Sequence, residues 1–108
     1  MQCYHGRRTH GGVIVTVNGV SLDPRWDLYN HSPDGFGWGY GGSGPAQLAL
    51  AILADHLCDD NEALALYQSF KWSVVVKLPK RGWKMSSRDI DQALQAIRSQ
   101  NLVTGGAS

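Results

Sequence analysis

The residues of this 108-residue chain with the clearest capacity for chemistry lie in one glycine-rich run. Six of the 13 glycines fall between residues 35 and 44, where they alternate with Phe36, Trp38 and Tyr40. Glycine is used where the backbone takes a positive φ angle or where another group approaches it closely. Interleaved aromatic rings supply flat apolar area at a low entropic cost, which suits recognition. The run therefore predicts a recognition loop, and the alternative is a short strand and turn that packs Phe36 and Trp38 into the core.

The candidate binding residues of this loop surround the start of the helix that follows it. They comprise an imidazole, two aromatic rings, three glycines, a hydroxyl and an amide: His31, Trp38, Tyr40, Gly41, Gly42, Ser43, Gly44 and Gln47. If the run is a strand, its alternation puts Phe36, Trp38 and Tyr40 on one face. We expect Phe36 and Trp38 to be buried, with Tyr40 and His31 at the rim beside the helix.

Nucleotide chemistry is disfavoured at this loop. The spacing Gly37-x-Gly39-x-x-Gly42 matches the dinucleotide-binding pattern. However, no second parallel strand follows the helix, and no Gly-Lys-Ser or Gly-Lys-Thr sequence is present to form a Walker loop. The glycine pattern by itself then reflects composition, and the sequence predicts no cofactor.

Hydrolytic and metal chemistry are also disfavoured. Ser43 could form a triad with His31 and Asp34, but Pro45 stands where a nucleophile elbow has glycine, and that fold needs a far longer chain. A metal site built from Cys3, His5 and His10 lacks a fourth ligand, so the sequence predicts no metal. The sequence favours a non-enzymatic protein, with an undetected small-molecule or hydrolytic activity at the glycine-rich loop as the third candidate function.

Charge is segregated along the chain although the net charge is only +1. Residues 23–62 contain seven acids and one Arg, whereas residues 63–88 contain six cations and no acid. The cations, which we call the basic block, are Lys71, Lys77, Lys80, Arg81, Lys84 and Arg88. Cations beside aromatic residues are typical of nucleic-acid binding, which is the second candidate function. The alternative is that the two charged segments face each other or are solvated.

The elements that must position these residues make one α+β domain over residues 1–103, with a disordered tail at 104–108. Residues 13–17 are β-branched, and Asn18-Gly19 is the strongest two-residue hairpin signal. With residues 2–8 as a partner strand, the sequence predicts a small N-terminal antiparallel sheet of two to three strands. Residues 83–85 are extended and could add an edge strand.

Three helices are predicted to pack on this sheet. The first starts at Gly44-Pro45 with Gln47 as a capping-box partner, and it is apolar on nearly all sides, so it should be the central helix. Asp59 with Glu62 opens the second helix, and residues 86 and 89 supply the same signal for the third.

The sequence also carries expectations about location. Residues 1–8 lack the apolar run of a signal peptide, and no segment is long enough to span a membrane. Two cysteines, Cys3 and Cys58, are fewer than a small secreted scaffold usually has. We expect a cytoplasmic protein with reduced thiols and no membrane contact.

The run from His31 to Ala51, HSPDGFGWGYGGSGPAQLALA, resembles the hallmark of an uncharacterised family of bacterial and phage domains that is often found on plasmids and prophages. The resemblance extends from residues 4–7 through residues 67–71, and loosely to the third helix. Gly37 departs from the family pattern, which has an acidic or polar residue there. The resemblance implies no activity, cofactor or catalytic residue. We expect a small non-enzymatic binding protein of bacterial, phage or mobile-element origin that acts through a protein partner. The mobile-element distribution that the resemblance implies suggests interference with a host or phage system.

Overall fold

The computed structural model describes residues 2–33 and 35–107, with side chains described through residue 100. Within those ranges the chain forms a β-sheet packed on α-helices, so the predicted α+β class is confirmed. The strands are β1 (Cys3–Thr9), β2 (Gly12–Val17), β3 (Val20–Ser21) and β4 (Gly82–Ser86). The helices are α1 (Ser43–Leu57), α2 (Asp60–Ser73) and α3 (Ser87–Ala107), with a 3-10 turn at Val75–Lys77.

The sheet has four strands in the order β3-β2-β1-β4, all antiparallel, which is one strand more than the upper count predicted. The β2–β3 hairpin turns at Asn18 and Gly19, whose φ angles are 53° and 84°, as a two-residue loop of this kind requires. β4 pairs with β1 so that Gly6 lies opposite Trp83. A Cβ atom at Gly6 would overlap the Trp83 indole, so only glycine lets these two strands approach.

Helix α1 is the centre of the domain, as predicted. Every residue from Gly44 to Ala54 is buried, and Leu50 and Leu53 are both 0% exposed. One side packs against α2, and at the far end the Tyr4 hydroxyl donates a hydrogen bond to Asp55. A helix with apolar residues on nearly all sides is stable only when other elements cover it from several directions. This packing explains the near-absence of polar residues between positions 45 and 54.

The caps of α2 and α3 were correctly predicted, whereas the start of α1 was not. The Asp59 side chain accepts from the Glu62 backbone N–H, and residues 86 and 89 exchange two hydrogen bonds. Helix α1 begins at Ser43, two residues earlier than Pro45, with Gly42 at its N-cap and no side-chain cap. Gln47 is therefore not a capping-box partner, because its side chain is committed to a neighbouring loop.

The run does not form the strand whose alternation would place Phe36, Trp38 and Tyr40 on one face. Residues 35–42 lie outside the helices and strands. Gly39, with φ at 78°, reverses the extended path, and its N–H donates to the Val75 carbonyl. The side chains diverge as a result: Trp38 is fully buried, Phe36 is half-buried and Tyr40 is exposed.

Two further expectations concern the ends of the chain and the membrane. The predicted disordered tail, 104–108, falls on residues whose side chains lie outside the described part of the structure, and it stays a prediction. Among the described residues, no helix combines the length and apolar character needed to cross a bilayer.

Candidate functional site

The loop before the glycine-rich run is held by one buried amide. Gln47 is 0% exposed, and its Oε1 accepts hydrogen bonds from the backbone N–H groups of His31 at 2.8 Å and Ser32 at 3.1 Å. Its Nε2 donates to the carbonyl oxygens of Pro24 at 2.7 Å and Tyr29 at 3.0 Å. All four hydrogen-bonding positions of the amide are thus used. The central helix therefore fixes the path of residues 24–32 across its surface.

The spacing of the glycines is explained by the ring of Tyr40. A Cβ at Gly37 would lie 3.0 Å from the Tyr40 Cζ atom and still closer to its hydroxyl oxygen. A Cβ at Gly44 would lie 2.9 Å from the same hydroxyl oxygen, and one at Gly42 would lie 3.0 Å from Cε2. The absence of a Cβ at these three glycines therefore leaves the space that the Tyr40 ring occupies. Tyr40 keeps 51% of its surface exposed.

A second ring, that of Trp72 on α2, packs on the same segment. A Cβ at Gly41 would meet its indole carbon Cη2 at 2.9 Å, so a side chain there would displace the ring. The ammonium nitrogen of Lys71 lies 4.4 Å from the centroid of the Trp72 ring, within cation–π range. Trp72 nevertheless keeps 57% of its surface exposed.

His31 lies on the loop of residues 24–32 that Gln47 holds in place. Its imidazole stacks on Tyr29 with ring centroids 4.1 Å apart, and its Nε2 lies 2.6 Å from the Tyr67 hydroxyl. Burial lowers the pKa of His31, and the nearby positive charge of Lys71 lowers it further. The neutral imidazole is favoured as a consequence, and it acts here as a flat, uncharged ring.

Four partly exposed rings make up what we call the aromatic surface: Tyr29, His31, Tyr40 and Trp72. His31 contacts Tyr29 and Tyr67, whereas Tyr40 and Trp72 both lie against the glycine-rich run, with Lys71 against Trp72. The Tyr29 ring is 55% exposed. Half-exposed aromatic rings that are fixed by packing lose little entropy when a partner covers them.

The sequence prediction named His31 and Tyr40 but missed Tyr29 and Trp72. Trp72 lies just outside the apolar stripe of α2, at a position that the periodicity leaves facing solvent. A tryptophan on the polar side of a helix, where it does not contribute to the core, was the signal in the sequence for a surface site. Nothing in the sequence identifies Tyr29 as part of this site, because its position depends on the hydrogen bonds from Gln47 to its loop.

The remaining candidate binding residues divide between surface and core. Trp38 is 0% exposed, and its Nε1 donates to the Lys80 carbonyl, so its side chain cannot touch a partner. Gly44 and Gln47 are buried, whereas Ser43 is exposed at the start of α1. In the imagined hydrolytic triad, His31 contacts the Tyr67 hydroxyl, and Asp34 lies outside the described residues.

The basic block is split by the fold. Lys71 is 8% exposed and covers Trp72, so it is not a free surface cation. The other five members are exposed: Lys77, Lys80, Arg81, Lys84 and Arg88. Across the described residues, the ion pairs involve Arg25, His56 and Arg98, and no ion pair joins the basic block to the acidic segment 23–62. The five exposed cations are therefore solvated.

The metal-ligand candidates lie on the first strand and the turn after it. Cys3 is exposed and reduced, as is Cys58, and His10 lies in the β1–β2 turn. In the described part of the chain, no cluster of three or more His, Cys, Asp or Glu side chains has the arrangement to hold a metal ion.

Most of the chain matches a known protein family. A model described as "Family of unknown function (DUF6166)" matches residues 4–96, which covers the sheet from Tyr4 onward, α1, α2 and the first ten residues of α3. The chain belongs to this family. No curated protein and no solved structure matches it. Because DUF6166 is a family of unknown function, membership does not assign an activity, and the function has to be inferred from the residues on the surface of the domain.

Proposed function

We propose that this member of DUF6166 is a small, non-enzymatic binding protein that acts through a protein partner, and that the aromatic surface is where the partner docks. The observation that carries the proposal is that Tyr29, Tyr40 and Trp72 each keep about half of their surface accessible although packing holds all three rings in place. Contiguous exposed apolar area on a small domain is typical of interaction sites. Tyrosine and tryptophan also dominate the binding energy of protein interfaces.

The charges beside this surface favour a partner segment that carries carboxylates. Lys80 is exposed and packs against Gly39, and the exposed Lys77 lies two residues after Val75, whose carbonyl accepts from the Gly39 N–H. The chain offers neither of them an acid within ion-pair distance in its described part. An acidic segment with apolar side chains would cover the rings and pair with these lysines. Electrostatic attraction of this kind mainly raises the association rate.

The test is capture of proteins from a bacterial lysate by the tagged protein, after nuclease treatment. Trp72→Ala and Tyr40→Ala each remove one ring whose loss at an interface centre costs about 2 kcal/mol or more, which is roughly a thirtyfold weaker partner affinity. Val20→Ala is the matched control, because Val20 is 68% exposed and lies on the β2–β3 hairpin outside the aromatic surface.

The expected result is a nuclease-resistant protein that the wild type and the Val20→Ala variant retain and both ring variants lose. Thermal melts of all variants must coincide with the wild type. Partners lost equally from every variant, or retained by both ring variants, would contradict the proposal. Elution of the partner by moderate salt would support the carboxylate contacts.

The second candidate function is nucleic-acid binding by the basic block, and the solvation of its five exposed cations favours it. In the double variant Lys80→Glu with Lys84→Glu, two exposed side chains change sign while the core is untouched. If nucleic acid is the ligand, fluorescence anisotropy will detect wild-type binding that is steeply salt-dependent and that this variant abolishes. We expect no micromolar binding to generic DNA or RNA at physiological salt. The bacterial or phage origin, the role in interference and the cytoplasmic location stay predictions of the sequence.

A further inference from the structure

A cleft of about 430 Å³ opens between the β1–β2 turn and the chain just before β4. The lining residues are Arg8, Thr9, His10 and Arg81. None of them belongs to the aromatic surface, and three of the four lie outside the basic block. The cleft is wide open to solvent, so a charged ligand can reach it directly.

One cationic group of this cleft, the Arg8 guanidinium, is held in place without being neutralised. The Arg8 guanidinium lies over the Trp38 ring, 5.7 Å from its centroid, and its Nε donates to the Lys80 carbonyl at 3.1 Å. The Arg8 backbone N–H donates to the Arg81 carbonyl. Neither arginine has an acid within ion-pair distance in the described ranges. Two guanidinium groups without an acidic partner thus line one cleft at a corner of the sheet.

The nearest acids that the contacts locate are at the other end of β4. Asp55 accepts a hydrogen bond from the hydroxyl of Tyr4, which pairs with Met85 of β4, and Asp89 accepts one from the backbone N–H of Ser86. Arg81 immediately precedes the opposite end of β4. Five residues of strand span about 14 Å, whereas charges are screened over about 8 Å at physiological salt. The acids at that end therefore cannot cancel the positive potential of the cleft.

We propose that this cleft is a binding site for a phosphate group. Guanidinium groups present forked N–H donors that match phosphate oxygens, and the concentrated negative charge of a phosphate group suits a cleft lined by two arginines without an acidic partner. The Arg8 fork is already oriented by the Trp38 ring and the Lys80 carbonyl, so little side-chain entropy is lost on binding. The site is independent of the aromatic surface and survives if that proposal fails.

The test uses pyrophosphate as the free-phosphate probe and a short single-stranded oligothymidylate as the phosphodiester probe, both titrated at low ionic strength by calorimetry. Arg81→Gln removes one charged donor, and we expect binding to weaken about tenfold or more. Its side chain makes no contact that holds the fold, so a thermal melt should be unchanged. Arg88→Gln is the matched control, because Arg88 is an equally exposed arginine at the far end of β4 on α3.

The source of the phosphate is given by the stronger probe. Tighter binding of pyrophosphate identifies a free or terminal phosphate, and tighter binding of the oligonucleotide identifies a backbone; both support the site if Arg81→Gln weakens them and Arg88→Gln does not. Binding of neither probe, equal loss in both variants, or equally tight binding of citrate would overturn the proposal. Trp72→Ala should leave pyrophosphate binding unchanged, which separates this test from that of the partner surface.

Discussion

Replacing Gln47 by leucine tests the idea that a single buried amide organises the aromatic surface. Leucine has a similar volume and suits a buried helix position, so packing within α1 should be retained. The substitution removes all four hydrogen bonds to the loop. The loop is left with two N–H groups, those of His31 and Ser32, and two carbonyl groups, those of Pro24 and Tyr29, without their partner.

The magnitude follows from those four groups. Each hydrogen bond contributes about 1 kcal/mol net, and each buried polar group left unpaired costs about 1–3 kcal/mol. Ser32 is buried, whereas Tyr29 is exposed and His31 half-buried, so part of the loop can regain water. The expected loss in the free energy of unfolding of the Gln47→Leu variant is about 3 kcal/mol. The loop is expected to detach before the rest of the domain unfolds.

Urea denaturation and amide hydrogen exchange measure the two effects separately. The amide protons of His31 and Ser32 should exchange much faster in Gln47→Leu, while those in the middle of α1 change only with global stability. Gln68→Leu is the control, because Gln68 is exposed on α2, and its stability should stay within about 0.5 kcal/mol of the wild type. A Gln47→Leu variant within about 1 kcal/mol of the wild type, with unchanged protection of both amides, would refute the reasoning.

Three further changes test other parts of the fold. Leu50→Ala or Leu53→Ala should each cost about 2–5 kcal/mol in urea melts, because both side chains are fully buried, and losses below about 0.5 kcal/mol at both sites would mean that α1 is not central. Gly37→Ala should destabilise the domain, and adding Tyr40→Ala should restore most of the loss because the three heavy atoms nearest to the new Cβ all belong to the Tyr40 side chain; a double-mutant cycle with no coupling would contradict this packing. The pKa of His31 is held below its ordinary value of 6.5, so the unfolded chain takes up the proton first and stability should fall as the pH drops below about 6.5. A His31→Asn variant should flatten that decline in melts across pH, and an identical decline would remove His31 as its cause.

The local elements were determined by the sequence alone. The Asn18-Gly19 hairpin and the Asp59–Glu62 cap depend on residues adjacent or three apart, so neighbouring side chains contain all the information needed. The central position of α1 was also predictable, since a helix that is apolar on nearly all sides must be covered from several directions. Even so, the start of α1 was misplaced by two residues, because its N-cap residue is Gly42, which has no capping side chain to mark the start in the sequence.

Only the tertiary structure shows why the run contains so many glycines. Four of its six glycines lie against aromatic rings: Gly37, Gly42 and Gly44 against Tyr40 from within the run, and Gly41 against Trp72 from a later helix. No periodicity in the sequence links Gly41 to Trp72, since their contact depends on how α2 packs against α1. The same holds for Gln47, whose four partners lie 15 to 23 residues away, and for the cleft, where the first strand meets the chain before β4. Contacts between residues far apart in the chain depend on the packing of whole elements, which a local pattern does not encode.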